Sequence, residues 1–185
     1  MKTALITGGA QRIGAQIAQT LHSNGYNVII HYRHSKQAAE TLAQTLNAQR
    51  SDSATIVQAE LSNLDDIQAL SHHIERLDVL VNNASVFYPT AVEEVNQDAW
   101  NNIMNTNLMA PFFLSQSLTA ALKKTSGCII NIVDIHGERP LKNHAIYNIS
   151  KAGVAMMTKT LAKELAPEIR VCGVSPGSIL WPENE

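Results

Sequence analysis

Thr3-Ala4-Leu5-Ile6-Thr7-Gly8-Gly9-Ala10-Gln11-Arg12-Ile13-Gly14 is the stretch on which the fold turns. Its short apolar run, closed by Gly8-Gly9, reads as a buried strand entering a tight turn. Ile13, Ile17, Ala18 and Leu21 then share one helical face, with Gln16, Gln19 and Thr20 on the other. Gly25 ends that helix as a residue free to take positive φ. A strand, a glycine turn and a helix start make an anion site, because free backbone N–H groups and the helix dipole face the ligand. The turn does not follow G-x-G-x-x-G, so its weight comes from its context, the first βα turn of a βαβ unit.

The same alternation runs outward along the chain. Residues 27–31 form a second strand, and 36–48 a helix with Ala39, Leu42, Ala43 and Leu46 inward. Residues 55–58 are a third strand, and Ser62 caps a helix that runs to about Arg76. A fourth strand covers 78–82. A long helical region covers 98–123, with irregularity expected near Pro111. A fifth strand at 128–133 precedes the helix bearing Tyr147 and Lys151. A sixth at 170–174 ends at Ser175-Pro176-Gly177. Strands alternating with helices predict a parallel α/β sheet covered on both faces.

A chain of 185 residues reads as a single domain. With 45% hydrophobic and 16% charged residues it has the make-up of a soluble globular protein with one large core. A net charge of −2 argues against a nucleic-acid groove or an anionic membrane surface. No apolar run nears the roughly 20 residues of a membrane span, and a strand by residue 3 leaves no room for a signal peptide. Cys128 and Cys172 sit in apolar runs and read as reduced, buried core residues, which fits a cytoplasmic location. His72 and His73 are adjacent on a helix and point to different faces, so no metal site is expected. His136 and His144 lie in loops and receive no role.

Tyr147 and Lys151 stand four apart and share one face of their helix. Asp134 ends the fifth strand's apolar run. A phenol, an ammonium and a carboxylate therefore meet where a strand ends and a helix begins, the place where open α/β sheets bind ligands. Lys151 is expected to lower the pKa of Tyr147, and Asp134 to oppose that. About 20 residues past the glycines, NAD-binding proteins carry an acid that bonds the ribose. This chain has Tyr32-Arg33-His34-Ser35 there instead. A guanidinium suits the 2′-phosphate of NADP, with Arg12 approaching from the turn.

The glycine turn, Asn82-Asn83-Ala84-Ser85, Asn107, the Tyr147/Lys151 pair and Ser175-Pro176-Gly177 resemble the short-chain dehydrogenase/reductase family. Arg12, His31-Tyr32-Arg33-His34-Ser35, Asn83 through Pro89 and Asp134, where most relatives carry serine, resemble its pteridine reductase branch. The resemblance covers essentially the whole chain. It implies a Rossmann-type, doubly wound, single NADP-binding domain over 1–185. That domain is short of the family's C-terminal substrate loop, further helix and last strand. Glu60-Leu61 stands where an Asp usually contacts the adenine edge, and Cys172 replaces a common Asn.

For the cofactor, NADPH, the resemblance implies contacts from Gly8, Arg12, Ile13, Gly14, Tyr32, Arg33, His34, Ser35, Glu60, Leu61, Asn83, Ala84, Ser85, Tyr147, Lys151, Pro176, Gly177 and Ser178. It implies a catalytic set of Asn107, Asp134, Tyr147 and Lys151, in which Asn107 steadies a relay water. Ser85, Phe87, Asp134 and Tyr147 would meet the substrate, with Phe87 stacked on a flat pterin. The implied activity is reduction of a C=N bond in a dihydro- or oxidised pterin, including dihydrofolate, by a homotetramer. Two rivals stand beside it: an NADPH-dependent reductase of small carbonyl compounds, and a non-catalytic nucleotide-binding protein.

Overall fold

The computed structural model describes residues 1–177. Six parallel strands form one sheet: β1 (Thr3–Ile6), β2 (Asn27–Tyr32), β3 (Ala54–Gln58), β4 (Val79–Asn82), β5 (Cys128–Ile132) and β6 (Arg170–Val174). Their order is β3-β2-β1-β4-β5-β6. The chain thus winds outward from β1 in one direction and from β4 in the other, which opens a crevice at their carboxyl ends. This is the parallel sheet that the alternation of elements predicts, with the Rossmann-type double winding that the family resemblance implies.

Period-two side-chain alternation divides the core into two layers. Ala4 and Ile6 of β1 face α1 (Arg12–Ser23) and α2 (Lys36–Gln49), joining Ala18, Ala39, Leu42 and Leu46. Leu5, between them in sequence, faces the opposite layer. There it meets α3 (Leu64–His72), α5 (Ala110–Ser117), α6 (Thr119–Lys123) and α7 (Ala145–Glu164) through Ile67, Leu114, Leu122 and Val154. The remaining helix, α4 (Gln97–Met104), leads into α5.

Three expectations need correction, and a fourth gains a definite form. Asn63, not Ser62, caps α3, accepting the Asp65 N–H at 2.8 Å, and the helix ends at His72. Ile13 is 36% exposed, because the buried stripe of α1 is Gly14, Ala18 and His22, which turns Ile13 toward the crevice. Cys172 is exposed and Cys128 only half-buried. They lie on one face of β5 and β6, and β6 is the sheet's edge. The irregularity near Pro111 is a π turn at Asn105–Met109, where the Ala110 N–H donates to the Asn105 carbonyl. Pro111 has no N–H with which to continue the regular ladder, so the helix widens just before it.

Candidate active site

The end of the crevice beside the glycine turn is a cleft of about 220 Å³. The expected residues Gly8, Tyr32, Arg33, His34, Ser35, Glu60, Leu61, Ala84 and Ser85 line it, joined by His31, Val86 and Thr106. Buried polar side chains hold its backbone. The hydroxyl of Thr7 donates to the Val81 carbonyl at 3.2 Å and accepts the N–H groups of Asn83 and Ala84 at 2.9 and 3.0 Å. Asn83 Nδ2 returns bonds to the carbonyls of Thr7 and Gly8 at 2.8 and 3.1 Å.

In the sequence His31 is only part of a motif, yet it is the central tie. Its Nδ1 accepts the Gly8 N–H at 3.0 Å, and its Nε2 donates to the Ala59 carbonyl at 3.1 Å. These partners fix one neutral tautomer. Burial lowers the His31 pKa from 6.5, against the opposing pull of the Ala59 carbonyl and Glu60. The Gly8 N–H, expected to face a ligand, is therefore already taken. Apolar alternation in β2 gave no signal for this bond, because His31 lies in a strand whose neighbours are also buried.

A Cβ on Gly14 would lie 2.1 Å from the Gly8 carbonyl oxygen, so Gly14 lets α1 close onto the turn and lines neither part of the crevice. Arg12 holds φ at 51°, a left-handed conformation that costs a non-glycine residue roughly 1–2 kcal/mol. Such strain concentrates at ligand clamps. Arg33 is ion-paired through Nε with Glu60. Burial pushes the Glu60 carboxyl up, but bonds from the Ser62 amide and hydroxyl and the charge of Arg33 outweigh it and leave the pKa lowered. Ser62 thus anchors Glu60 instead of capping a helix.

A second cleft of about 280 Å³ adjoins the first and shares Ser85 with it. Arg12, Ile13, Asn83, Asp134, Tyr147, Lys151, Pro176 and Gly177 line it. The Tyr147 hydroxyl donates to Asp134 Oδ2 at 2.6 Å. Asp134 Oδ1 accepts the His136 N–H at 2.9 Å and so caps the 3₁₀ turn Ile135–Gly137, which fixes the carboxylate. Lys151 is 4% exposed; its Nζ donates to the Ile132 carbonyl at 3.1 Å and lies 5.6 Å from the centre of the Tyr147 ring. Burial lowers its pKa to about 8, with Asp134 pulling the other way. Tyr147 moves opposite to the expectation placed on Lys151: burial, then the bond to Asp134 and its charge, raise the phenol pKa.

Asn107, in the π turn, has every side-chain hydrogen-bonding position filled by protein. Oδ1 accepts from Val86 N at 2.8 Å and Ser85 Oγ at 3.1 Å, while Nδ2 donates to the Val86 carbonyl at 3.0 Å and Ser150 Oγ at 3.2 Å. Its side chain clamps the Ser85-Val86 wall to α7 and has no capacity left for a relay water. Phe87 is 56% exposed and lines neither cleft. Its ring stacks on His144 at 4.6 Å and meets Tyr147 edge-on at 4.8 Å. His144, given no role in the sequence, thus borders the chemistry. Ser178 lies outside the described residues. No group of three His, Cys, Asp or Glu among the described residues can hold a metal ion.

The short chain dehydrogenase family model matches residues 2–184. The chain belongs to the short-chain dehydrogenase family. Its members are oxidoreductases that use NAD(P)H, and the joined clefts suit so extended a ligand. The chain is 36% identical to pteridine reductase 1 of Leishmania tarentolae, over 98% of its own length and 78% of the relative's. It is also 36% identical to the 3-oxoacyl-(acyl-carrier-protein) reductase FabG of Staphylococcus aureus, over 97% of this chain and 75% of the relative. An uncharacterized oxidoreductase of Staphylococcus epidermidis is 32% identical over 100% and 80%. Among the described residues, no helix is long and apolar enough to cross a membrane.

Proposed function

We propose that this short-chain dehydrogenase is an NADPH-dependent pteridine reductase that reduces a C=N bond of a dihydro- or oxidised pterin. The observation that carries this reading is the 2.6 Å bond from the Tyr147 hydroxyl to Asp134. A carboxylate there would oppose the negative charge that builds on a carbonyl oxygen during its reduction. It suits a ring nitrogen, which must gain a proton. The 36% identity to a pteridine reductase supports the same reading.

The glycine turn fits a dinucleotide, since a Cβ on Gly8 would already press on Ala84 at 3.2 Å and leave no slack beside the crevice. Arg33, His34 and Ser35 would hold the 2′-phosphate; Lys151, Ser85 and Pro176 line the nicotinamide end. When bound, the cofactor supplies the hydride. Burial and Asp134 keep Tyr147 protonated at the cost of its acid strength; the hydroxyl, which donates to Asp134 in the free protein, would turn to the substrate nitrogen and give up its proton as the hydride arrives. Proton transfer leaves a phenolate that the ammonium of Lys151 stabilises. Phe87, edge-on to Tyr147 and with one face covered by His144, would offer its other face to a pterin.

Equal identity to FabG supports a second reading, reduction of a carbonyl compound. Trp100, Phe112, Ile149 and Met156 are exposed on α4, α5 and α7, and we assign them to an interface between copies in a homo-oligomer. The free cysteines suit a cytoplasmic location. The test is stopped-flow NADPH oxidation with dihydrobiopterin, dihydromonapterin, dihydrofolate and a 3-oxoacyl thioester. Turnover of a pterin supports the reading. Turnover of the thioester alone replaces it with the carbonyl reductase, and no turnover with any of them favours a nucleotide-binding protein without catalysis.

A further inference from the structure

Phe87 is a large apolar side chain left 56% exposed beside Tyr147, on a loop whose other residues are tied down on both sides of it. Asn107 holds Val86 by its N–H and its carbonyl, Asn102 donates to the Tyr88 hydroxyl at 3.1 Å, and the Thr90 N–H donates to the Asn143 carbonyl. The Phe87 ring rests on two others. It lies nearly parallel to His144, at 4.6 Å and 15°, and edge-on to Tyr147, at 4.8 Å and 78°. His144 is itself seated: its Nδ1–H donates to the Lys142 carbonyl at 2.8 Å, and its backbone bridges to Thr90. Reciprocal bonds between the Leu141 backbone and the Asn148 side chain, at 3.2 and 2.9 Å, pin the His144 loop to α7. The loops after β4 and β5 are thus cross-tied, with the stacked rings at their junction.

We propose that His144 is a positioning residue that presets Phe87: by covering one face of the ring it fixes the other as the stacking face, and so biases the site toward flat substrates. This rests on the pterin reading of the same site. An exposed phenylalanine keeps its rotamer freedom, and a substrate that stacks on it must order it on binding. His144 does that ordering before the substrate arrives. Stacked and edge-on contacts are the favourable aromatic geometries, and Phe87 makes one of each. A 3-oxoacyl group has no flat ring to lay on Phe87, so its binding does not draw on the stack. His144 acts through Phe87 and stands apart from the proton path.

The test separates the His144 ring from its hydrogen bond. His144→Phe keeps a flat ring and loses the bond to Lys142, whereas His144→Asn keeps an amide donor and loses the ring. Steady-state kinetics with NADPH and either dihydrobiopterin or a 3-oxoacyl thioester read the outcome. His144→Asn should raise KM for dihydrobiopterin by about two- to tenfold, the worth of one aromatic pair, with smaller changes in kcat and in the thioester KM. His144→Phe should stay near the parent. In a Phe87→Ala background His144→Asn should add nothing, because the ring it acts on is gone. An unchanged KM in His144→Asn overturns the proposal, as do an equal rise for both substrates and additive losses in the double variant. Loss in His144→Phe with recovery in His144→Asn would assign the residue to its loop bond and overturn it too. Should His144→Asn not fold, His144→Ala carries the same expectations. A parent chain that turns over no dihydropterin overturns the pterin reading first and this inference with it.

Discussion

At the nucleotide end of the crevice, the shaping side chains bond to backbone. Thr7 holds two N–H groups, Asn83 two carbonyls, and His31 bridges Gly8 to Ala59. At the other end backbone ties remain, from Lys151 to the Ile132 carbonyl and from the His136 N–H to Asp134, but side chains also engage one another: Tyr147 bonds to Asp134, and Phe87 lies between His144 and Tyr147. Backbone ties of this kind do not depend on the substrate. Substrate choice is left to a few side chains. A pteridine reductase and a 3-oxoacyl reductase are equally similar to this chain, at 36% identity each.

The contrast breaks most sharply at Tyr147. Tyr147→Phe should lose turnover by about 100–10,000-fold while NADPH affinity stays within about twofold, because the phenol supplies a proton and little binding. Single-turnover kinetics beside a binding titration checks this; wild-type turnover would remove the proposed acid. His31→Leu should do the reverse. It leaves the Gly8 N–H and Ala59 carbonyl unpaired, at about 1–3 kcal/mol each. The loss should appear in urea unfolding of the free protein.

His31 also carries a pH signature. Its folded pKa lies below the ordinary 6.5, so the unfolded chain takes up the proton first as pH falls. Its contribution is fully present above about pH 6.5 and is lost on acidification through the folded pKa. His31→Leu should flatten the part of the stability profile that falls away below about pH 6.5. An unchanged slope would mean that the buried tautomer is not the one described. Smaller again is Arg33→Asp, expected to erase about a tenfold preference for NADPH over NADH. Arg33 already shares Nε with Glu60, so a preference that survives would pass the 2′-phosphate to His34, Ser35 or Arg12. Phe87→Ala should weaken a bound pterin by about 0.5–1.5 kcal/mol beyond lost area.

The sheet was legible because strands and helices alternate with clear periodicity, and β6 falls where its apolar run lies. Asp134, Tyr147 and Lys151 were legible because helix spacing and a strand end fix their meeting point. What escaped the sequence depends on neighbours across the sheet. His31 looks like one more strand residue until Gly8 and Ala59 are seen on either side. Thr106 and Asn107 part company only because the helix widens into a π turn, which Pro111 hinted at without fixing its position. Ser62 was misassigned as a cap because Asn63, one residue on, offers the same chemistry, and the carboxylate of Glu60 claims Ser62 instead.

The central claim is that Asp134 makes this crevice a pterin site, and turnover of a dihydropterin and of an activated ketone by wild type and Asp134→Ser tests it most directly. Wild type should favour the dihydropterin. Asp134→Ser should lower pterin reduction by about tenfold or more, as expected for losing part of a proton relay, while ketone reduction falls less or rises. Ready ketone reduction by wild type with no pterin turnover would contradict the account and leave the carbonyl reductase in its place.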